Sequence, residues 1–387
     1  MNRVVVVGAS LAAVHVIERL RADGFSDGIV LVGAERHLPY DRPPLSKEGL
    51  RCGPDLEPLR EPGWYDEMGV TLRLGRPAVG LRPEENVVVV DGGDEVAYDG
   101  LVIATGSRAR TLSAGNEHVA FLRSVDDAVA LRERLGAAEH VAIIGAGFIG
   151  LEVAATVTEM GRRATVIEVA PAPLARVLGD EVGVWFRNFH ARRGVPIRCG
   201  THAVSVEAVR TGYRVNLGNG DVVAADLVVG ALGATPAIDW LRDSGIALSD
   251  GVLCDRSLRA NAPGVVAAGD VARWFNPLFD EDMRVEQWTN AVDQGRHAAR
   301  VLLGAPGAYA PVPYFWSDQF DARMRFVGRA NGAEQVHVES VTDDSLVAVF
   351  GRNGVQVGAL CVNATSRLPH HRAAIAEKRA YAEAPIG

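Results

Sequence analysis

Paired cysteines are absent from this sequence. Its four cysteines, Cys52, Cys199, Cys254 and Cys361, lie far apart and show no CxxC spacing. This excludes a zinc knuckle and a redox disulfide between neighbouring cysteines, and it predicts reduced thiols and no bound metal.

Excess positive charge and long hydrophobic runs are also missing. The formal net charge is -8, and no basic tract interleaved with aromatic residues is present, which argues against nucleic acid as a partner. No apolar run reaches the ~18 residues of a membrane span, and the chain begins with a strand-like segment instead of a signal peptide. We therefore expect a cytoplasmic protein without a membrane partner, as a monomer or weak dimer.

Glycine, in contrast, is abundant, with 42 residues in a chain of 387. Such a content indicates many tight turns and close backbone approaches, which nucleotide-binding folds require. A length of 387 residues with 48% hydrophobic content predicts two or three globular domains.

An internal repeat organises the sequence. The segments "VVVVGASLAAVHVIERLR" (4–21) and "IVLVGAE" (29–35) are echoed by "VAIIGAGFIGLEVAATVTEMG" (141–161) and "ATVIEV" (164–169). Each half is typical of a strand, a glycine turn, a helix and a second strand. Because continuous Val and Ile runs indicate strands buried on both faces, we predict two doubly wound parallel units and two bound dinucleotides.

The first unit does not end before the second begins, since strand-like segments recur at 98–106 and 264–270. We therefore predict an α/β fold with two doubly wound dinucleotide-binding domains, one inserted in the other, plus a C-terminal α+β domain. Helices are expected over 285–304 and near 372–383. The predicted segments are 1–108 and 228–310 for the first dinucleotide-binding domain, 109–227 for the second, which is inserted in the first, and 311–387 for the C-terminal domain.

The second glycine fingerprint is complete. Gly145, Gly147 and Gly150 follow a strand and begin a helix, whose free amides can bind a pyrophosphate. Glu168 lies 23 residues after Gly145, where an acid binds the adenosine ribose hydroxyls and repels a 2'-phosphate. This pattern favours NADH over NADPH.

The first fingerprint is degraded. Gly8 is followed by Ser10 and Ala13 where glycines are usual, so the motif alone is a weak signal. Glu35, 27 residues after Gly8, supplies the expected ribose acceptor at the end of the next strand.

Two further positions lie where ligands bind in open α/β sheets. Asp270 is expected to close a buried strand and to accept from a sugar-alcohol hydroxyl, with a helix N-cap as the alternative. A helix starting near Glu286, with Gln287 and Trp288 in its first turn, could stabilise an anionic ring edge through its amide dipoles.

Lys47 is a local anomaly. Pro43 and Pro44 predict a helix beginning there, with Lys47 in its first turn, which is the wrong end of a helix for a cation. Glu152, in the first turn of the second dinucleotide helix, could pair with Lys47. A plain solvated lysine is the alternative.

Several strings together identify a family resemblance. They are "PYDRPPLSK", "VIATGSRAR", "IIGAGFIGLE", "VVAAGDVA", "VEQWTNA" and "PYFWSDQF". They resemble the FAD-dependent NADH:ferredoxin reductases that serve cytochrome P450 and Rieske-type oxygenases, a branch of the pyridine nucleotide-disulfide oxidoreductases without the redox disulfide. Where disulfide reductases have a CxxxxC pair, this chain has Pro43 to Glu48.

The resemblance assigns roles to individual residues. It implies that Lys47 lies beside the flavin N5 region in a pair with Glu152, that Arg123 is the pyrophosphate cation, and that Trp316 lies near the flavin on the partner side. It implies FAD contacts at Ala12, Glu35, Lys47, Ala78, Arg123, Asp270 and Trp288. Further cofactor-binding candidates in the matched motifs are Arg42, Ala104, Thr105, Gly106, Phe148, Ile149 and Glu286. Leu11, in the first glycine turn, and Gly233, in the segment 225–236, are candidates outside those motifs.

The implied function is transfer of electrons from NADH through FAD to a transiently bound [2Fe-2S] ferredoxin. Rubredoxin reductase and an NADH-responsive binding switch resembling apoptosis-inducing factor are the alternatives. A basic patch is a candidate docking surface, with an ordinary solvated face as the other interpretation. Its residues are Arg323, Arg325, Arg329, Arg367, His370, His371 and Arg372.

Overall fold

The structure is a computed structural model that describes residues 1–53, 57–112 and 115–381. The chain divides into two compact units. Unit 1 comprises Met1–Asp41, Leu56–Arg108 and Thr235–Pro313, and unit 2 comprises Arg42–Asp55, Ala109–Ala234 and Tyr314–Gly387. This division does not test the predicted domain boundaries, which stay a prediction.

The strands are numbered in chain order. They are β1 (Arg3–Val7), β2 (Gly28–Val32), β3 (Val70–Arg73), β4 (Ala78–Arg82), β5 (Val87–Val90), β6 (Glu95–Ala97), β7 (Gly100–Ile103), β8 (Ser107–Ala109), β9 (Val119–Phe121), β10 (His140–Ile144), β11 (Arg163–Ile167), β12 (Ile197–Arg198), β13 (Ala203–Val209), β14 (Gly212–Leu217), β15 (Val222–Ala225), β16 (Leu227–Gly230), β17 (Ala234–Pro236), β18 (Val252–Cys254), β19 (Val265–Ala267), β20 (Ala272–Asn276), β21 (Glu281–Arg284), β22 (Tyr314–Gln319), β23 (Ala322–Gly328), β24 (Gln335–Val341), β25 (Leu346–Arg352) and β26 (Val355–Val362).

The α-helices are numbered in the same way. They are α1 (Leu11–Ala22), α2 (Glu48–Arg51), α3 (Pro62–Glu67), α4 (Val125–Ala137), α5 (Phe148–Glu159), α6 (Ala175–Leu178), α7 (Asp180–Arg192), α8 (Trp288–Leu302) and α9 (Leu368–Ala376). Among the described residues, none of them is both long and apolar enough to cross a membrane.

Unit 1 is built on a parallel sheet of strand order β19-β7-β1-β2-β3. Its centre is β1, whose residues Val4 to Val7 are buried as the hydrophobic run predicts. Helices α1 and α8 pack against each other. Because β19 follows the whole of the second repeat in sequence, the chain leaves this sheet after β7 and returns to it at β19.

Unit 2 contains the second parallel sheet, of order β12-β11-β10-β16-β9. The antiparallel sheet β13-β14-β15 packs against it, with Val206 and Val215 in the same hydrophobic cluster as Ala142 and Ile144. Burial between these sheets fixes the second dinucleotide fold.

An antiparallel sheet of order β22-β23-β26-β25-β24 completes unit 2, and α9 packs on β26 and β23. The predicted α/β class with a C-terminal α+β region is confirmed. The last helix starts at Leu368, earlier than predicted, because Pro369 fits the first turn of a helix. Residues 382 and 383 of the predicted helix lie outside the described residues.

Candidate functional site

The first glycine turn joins β1 to α1. Gly8 has φ of +112°, and a Cβ there would overlap the carbonyl oxygen of Ala104. Ser10 is the N-cap of α1 and makes no side-chain cap hydrogen bond, and the first helical bond runs from the Val14 amide to the Ser10 carbonyl. The amides of Leu11 and Ala12 therefore lie at the positive end of a helix, where a phosphate can accept from them.

Glu35 follows β2, where the ribose acceptor is expected. The Tyr40 hydroxyl donates to Glu35 Oε2 at 2.6 Å, so the carboxylate is oriented by a neighbour in the same loop. Sequence reasoning missed Tyr40, although it lies in the matched "PYDRPPLSK" string.

Asp270 does not close a strand and is not an N-cap. Strand β19 ends at Ala267, and Asp270 lies within a one-turn 3-10 helix, Gly269–Val271. Gly269 has φ of +79°, which ends the extended backbone and starts the turn. The Ser107 hydroxyl donates to Asp270 Oδ2 at 2.9 Å, which fixes the carboxylate at this end of the sheet.

The turn after β7 is held by the chain that follows β17. Thr105 Oγ1 donates to the Ala237 carbonyl at 2.8 Å, and the Ala237 amide donates to the Gly106 carbonyl at 3.0 Å. The Ala104 amide donates to the Val7 carbonyl. Ala104, Thr105 and Gly106 thus form one anchored turn next to the Gly8 turn.

Helix α8 starts later than predicted. Gln287 is its extended N-cap and Trp288 its first residue, so Glu286 lies before the helix and not in it. The reason is the pairing of β20 with β21, which keeps the backbone extended to Arg284. Arg284 forms an ion pair with Glu286, and the Trp288 indole N–H donates to Asp41 Oδ1 at 2.8 Å.

The remaining candidates for FAD contacts are dispersed. Ala78 begins β4, opposite Val90. In unit 2, Arg42 Nη1 donates to the Arg123 carbonyl at 2.9 Å, and Arg123 immediately precedes the capping box of α4. The structure thus brings Arg42 and Arg123 together, while their contact with a pyrophosphate stays a prediction.

The second glycine turn repeats the geometry of the first. Gly145 has φ of +107°, and a Cβ there would overlap the carbonyl oxygen of Ala231. Gly147 is the N-cap of α5, and Phe148, Ile149 and Gly150 form its first turn. A Cβ at Gly147 would meet nothing within 4 Å among the described residues, which leaves room at this helix start.

Glu168 lies just after β11 and is only 6% exposed. Its Oε2 accepts from the Ala146 amide at 2.6 Å, and its Oε1 accepts from the Ala170 amide at 2.8 Å. Each carboxylate oxygen has a second lone pair for a ribose hydroxyl. Gly233 anchors the neighbouring loop through its carbonyl, which accepts from the Arg110 amide at 2.9 Å.

Lys47 lies at a break between two helical segments, not in the first turn of one helix. A 3-10 helix covers Pro43–Ser46, Lys47 has φ of -125° and ψ of -105°, and α2 begins at Glu48. The Lys47 amide donates a hydrogen bond to the Pro44 carbonyl, which ends the first segment. The Lys47 carbonyl accepts from the Arg51 amide, which begins the second segment. The side chain thereby leaves the unfavourable first-turn position.

The predicted ion pair of Lys47 and Glu152 is present. Lys47 Nζ lies 2.7 Å from Glu152 Oε2, and the side chains are 16% and 9% exposed. Two serines that sequence reasoning missed also donate to this carboxylate: Ser46 to Oε2 at 2.6 Å and Ser317 to Oε1 at 2.6 Å. A solvated lysine is therefore the wrong interpretation.

Trp316 lies on β22 and stacks on Tyr314 with ring centroids 6.2 Å apart. The adjacent candidate docking patch is weaker than the sequence indicated. Arg325 pairs with Asp318 at 2.7 Å and Arg367 with Glu339 at 3.3 Å, so part of the positive charge is neutralised. His371 is buried, and burial lowers its pKa, which removes it from a basic surface.

The cysteines within the described part of the chain are all unpaired. Burial raises the pKa of Cys254 to about 12 and that of Cys361 to about 12, so both are inert as thiolates at neutral pH. Cys52 is exposed.

Comparison with known proteins identifies the family of this chain. The model of the pyridine nucleotide-disulphide oxidoreductase family matches residues 2–295. The chain belongs to this family. The reductase C-terminal family model matches residues 314–386, which include the antiparallel sheet of unit 2. The predicted use of FAD and NAD(H) is confirmed for this pyridine nucleotide-disulphide oxidoreductase.

Relatives refine the comparison. The ferredoxin–NAD(+) reductase component of the anthranilate 1,2-dioxygenase system of Burkholderia cepacia is 38% identical over 356 residues, which cover 90% of this chain and 87% of that protein. The crystal structure of the ferredoxin reductase for the CYP199A2 system from Rhodopseudomonas palustris has a TM-score of 0.94 at 32% identity, over 99% of this chain and 96% of that chain. The covalent putidaredoxin reductase–putidaredoxin complex has a TM-score of 0.93 at 29% identity, over 97% and 93%. The resemblance to ferredoxin reductases predicted from the motifs is therefore confirmed.

Proposed function

We propose that this chain takes electrons from NADH and passes them, through bound FAD, to a ferredoxin that supplies a cytochrome P450 or Rieske-type oxygenase. The observation that supports this best is the chemistry of the segment 43–48. Disulfide reductases have a redox-active cysteine pair there, whereas this chain has a partly buried lysine whose ammonium is paired with Glu152. This segment therefore offers no disulfide that a reduced flavin could reduce.

The residues of unit 1 fit FAD. The Gly8 turn lets the backbone approach closely, and the amides at the start of α1 can receive the pyrophosphate. Glu35, oriented by Tyr40, can accept from the adenosine ribose, and Asp270, oriented by Ser107, can accept from the sugar-alcohol chain. The amides at the start of α8 favour an anionic ring edge.

Unit 2 contains the corresponding group of residues for binding NADH. The Gly145 turn and the start of α5 can bind its pyrophosphate, and Glu168 can accept from the adenosine ribose. A negative charge at Glu168 disfavours the 2'-phosphate of NADPH, so NADH is the expected donor.

FAD, when bound, accepts a hydride as one two-electron unit and releases the electrons singly, which is the conversion that a one-electron carrier needs. The chain contributes alignment and electrostatics. Lys47 provides a fixed positive charge that stabilises negative charge developing at the electron acceptor, and Glu152 orients Lys47.

The choice of lysine supports a specific role. Lys47 and Lys378 are the only two lysines among the 40 lysine and arginine residues of the sequence. A compact ammonium and a planar guanidinium are not interchangeable at a buried pair, because the two groups direct their N–H bonds differently. A lysine at this buried position is thus consistent with a requirement for a point charge.

The test is reduction of cytochrome c by NADH with the purified FAD-loaded chain, with and without added ferredoxins. Strong dependence on a [2Fe-2S] ferredoxin supports the proposal, and equal dependence on rubredoxin favours the rubredoxin alternative. A long-lived NAD charge-transfer complex with little turnover favours the binding switch. The iron-sulfur type of the partner, the monomeric or weakly dimeric state and the cytoplasmic location stay predictions.

A further inference from the structure

A continuous chain of buried polar side chains ends on Glu152. Ser317 Oγ donates to Glu152 Oε1 at 2.6 Å, and Gln319 Nε2 donates to Ser317 Oγ at 3.1 Å. His190 Nε2 lies 2.9 Å from Gln319 Oε1. Ser317, Gln319 and His190 are each no more than 1% exposed, and all belong to unit 2.

The directions of these hydrogen bonds are fixed by chemistry. A hydroxyl has one proton, and an ionised carboxylate can only accept, so Ser317 must donate to Glu152. Gln319 then donates its amide N–H to Ser317, which leaves its carbonyl oxygen to accept from His190. The proton of His190 is therefore on Nε2.

His190 can hold this role because it is neutral. Its burial lowers its pKa to about 4, with Arg193 adding to the decrease and the Gln319 hydrogen bond opposing it. Its Nδ1, the unprotonated nitrogen in this assignment, has no hydrogen-bond partner among the described residues. Every donor in the chain thus points towards the Glu152 carboxylate.

The contacting residues on β22 and on α5 are separated by similar distances along the two elements. On α5, Phe148 and Glu152 are four residues apart on one face, a rise of about 6 Å. On β22, Phe315 and Ser317 share a face and are separated by about 6.6 Å. Phe148 contacts Phe315 with ring centroids 4.9 Å apart, which aligns Ser317 with Glu152.

We propose that Ser317, supported by Gln319 and His190, is a positioning residue that fixes the second oxygen of Glu152 and thereby the location of the Lys47 ammonium. Glu152 Oε2 is occupied by Lys47 and Ser46. Without Ser317, Oε1 loses its hydrogen bond, the carboxylate can rotate, and Lys47 can shift to bind both oxygens. The inference rests on the proposed role of Lys47 in electron transfer from NADH.

The experiment is anaerobic stopped-flow reduction of the FAD-loaded chain by NADH in a double-mutant cycle of Ser317→Ala and Lys47→Ala. Ser317→Ala is expected to lower the limiting rate about tenfold, since hydrogen bonds to charged groups are strong, with the NADH dissociation constant unchanged. In the Lys47→Ala background, Ser317→Ala should have no further effect, because residues that act through one another are not additive.

Ser345→Ala is the matched control. Ser345 lies beside β25 of the same sheet, and its hydroxyl donates to the Val362 carbonyl at 3.1 Å, away from Glu152. It should leave the rate unchanged. Ser317→Thr, which keeps the hydroxyl, should restore most of the lost rate if the site accepts the methyl group, and thermal unfolding and FAD content identify variants that do not fold.

The outcomes separate the two claims. An equal loss of rate from Ser317→Ala in the wild-type and Lys47→Ala backgrounds would mean a structural role and overturn the inference. A normal rate in Ser317→Ala, with a slow Lys47→Ala, would also overturn it and leave the proposed function intact. A normal rate in Lys47→Ala would reject the role of Lys47 itself, and the inference with it.

Discussion

Lys47 and Glu152 form an ion pair 2.7 Å long whose side chains are 16% and 9% exposed. A charge pair that is removed from water in this way must have its remaining hydrogen-bonding capacity satisfied, or its desolvation outweighs its attraction. Ser46 and Ser317 meet that requirement on the carboxylate, and the Pro43 carbonyl accepts from Lys47 Nζ at 3.3 Å. The Lys47 ammonium and the Glu152 carboxylate are therefore each held in one orientation by their hydrogen bonds.

Lys47→Ala should slow reduction of the bound flavin by NADH by about tenfold to a hundredfold, because the role proposed for Lys47 is to supply a preorganised positive charge to this step. NADH affinity should change little. Lys47→Arg should recover only part of the rate, since a guanidinium cannot occupy the same hydrogen-bond positions. Stopped-flow loss of flavin absorbance measures this, with the exposed Lys378→Ala as control, and an unchanged rate in Lys47→Ala would reject the role.

Glu168→Gln should raise the ratio of kcat/KM for NADPH to that for NADH by about tenfold, because it removes a negative charge from the expected 2'-phosphate position. Glutamine keeps one acceptor for the Ala146 or Ala170 amide, so the loop should hold. Steady-state kinetics with both nucleotides check this. Glu159→Gln, at the end of α5 and paired with Arg51, is the control. An unchanged ratio in Glu168→Gln would mean that Glu168 does not select the nucleotide.

The pH dependence of stability should report on His190. Its pKa is about 4 in the folded chain, against 6.5 when unfolded, with burial as the main cause. The unfolded state then binds more protons below pH 6.5, so the stabilisation is fully present above that pH and declines as the pH falls towards 4. The loss from this one group should be at most about 3 kcal/mol.

His190→Gln isolates this contribution, because a glutamine amide can still donate to Gln319 but does not titrate. Burial also lowers the pKa values of four other histidines, His15, His140, His297 and His371, and these remain in the variant. Denaturant unfolding of both proteins between pH 7 and pH 4 should therefore show a shallower decline in His190→Gln, by about one proton per molecule. Parallel curves would contradict a buried, neutral His190.

The sequence was sufficient for features that depend on local rules. Gly8 and Gly145 were recognisable because each stands between a buried strand and a helix where a side chain would collide with the backbone. The pairing of Lys47 with Glu152 was predictable because a cation near a helix start needs an anion, although neither residue lies in the first helical turn where the sequence placed it. The glycine argument uses neighbouring residues, and the pairing uses the repeat of the two halves together with the family resemblance.

Features set by long-range packing were not predictable in this way. Ser317 lies 165 residues from Glu152 in sequence, and nothing near either residue indicates their contact. The helical break at Lys47 and the late start of α8 at Trp288 depend on backbone hydrogen bonds and strand pairing that residue preferences alone do not determine. The basic patch carries less positive charge than the sequence indicated, because residue counts do not show the acidic partners that the fold supplies to Arg325 and Arg367.

The most direct test of the whole account is an anaerobic count of electrons. NADH is added in limiting amounts to the FAD-loaded chain with excess oxidised [2Fe-2S] ferredoxin, and reduced ferredoxin is measured by its absorbance. About two ferredoxins should be reduced per NADH, because one hydride is converted into two single electrons. Oxidation of NADH without reduced ferredoxin, or no oxidation at all, would contradict it.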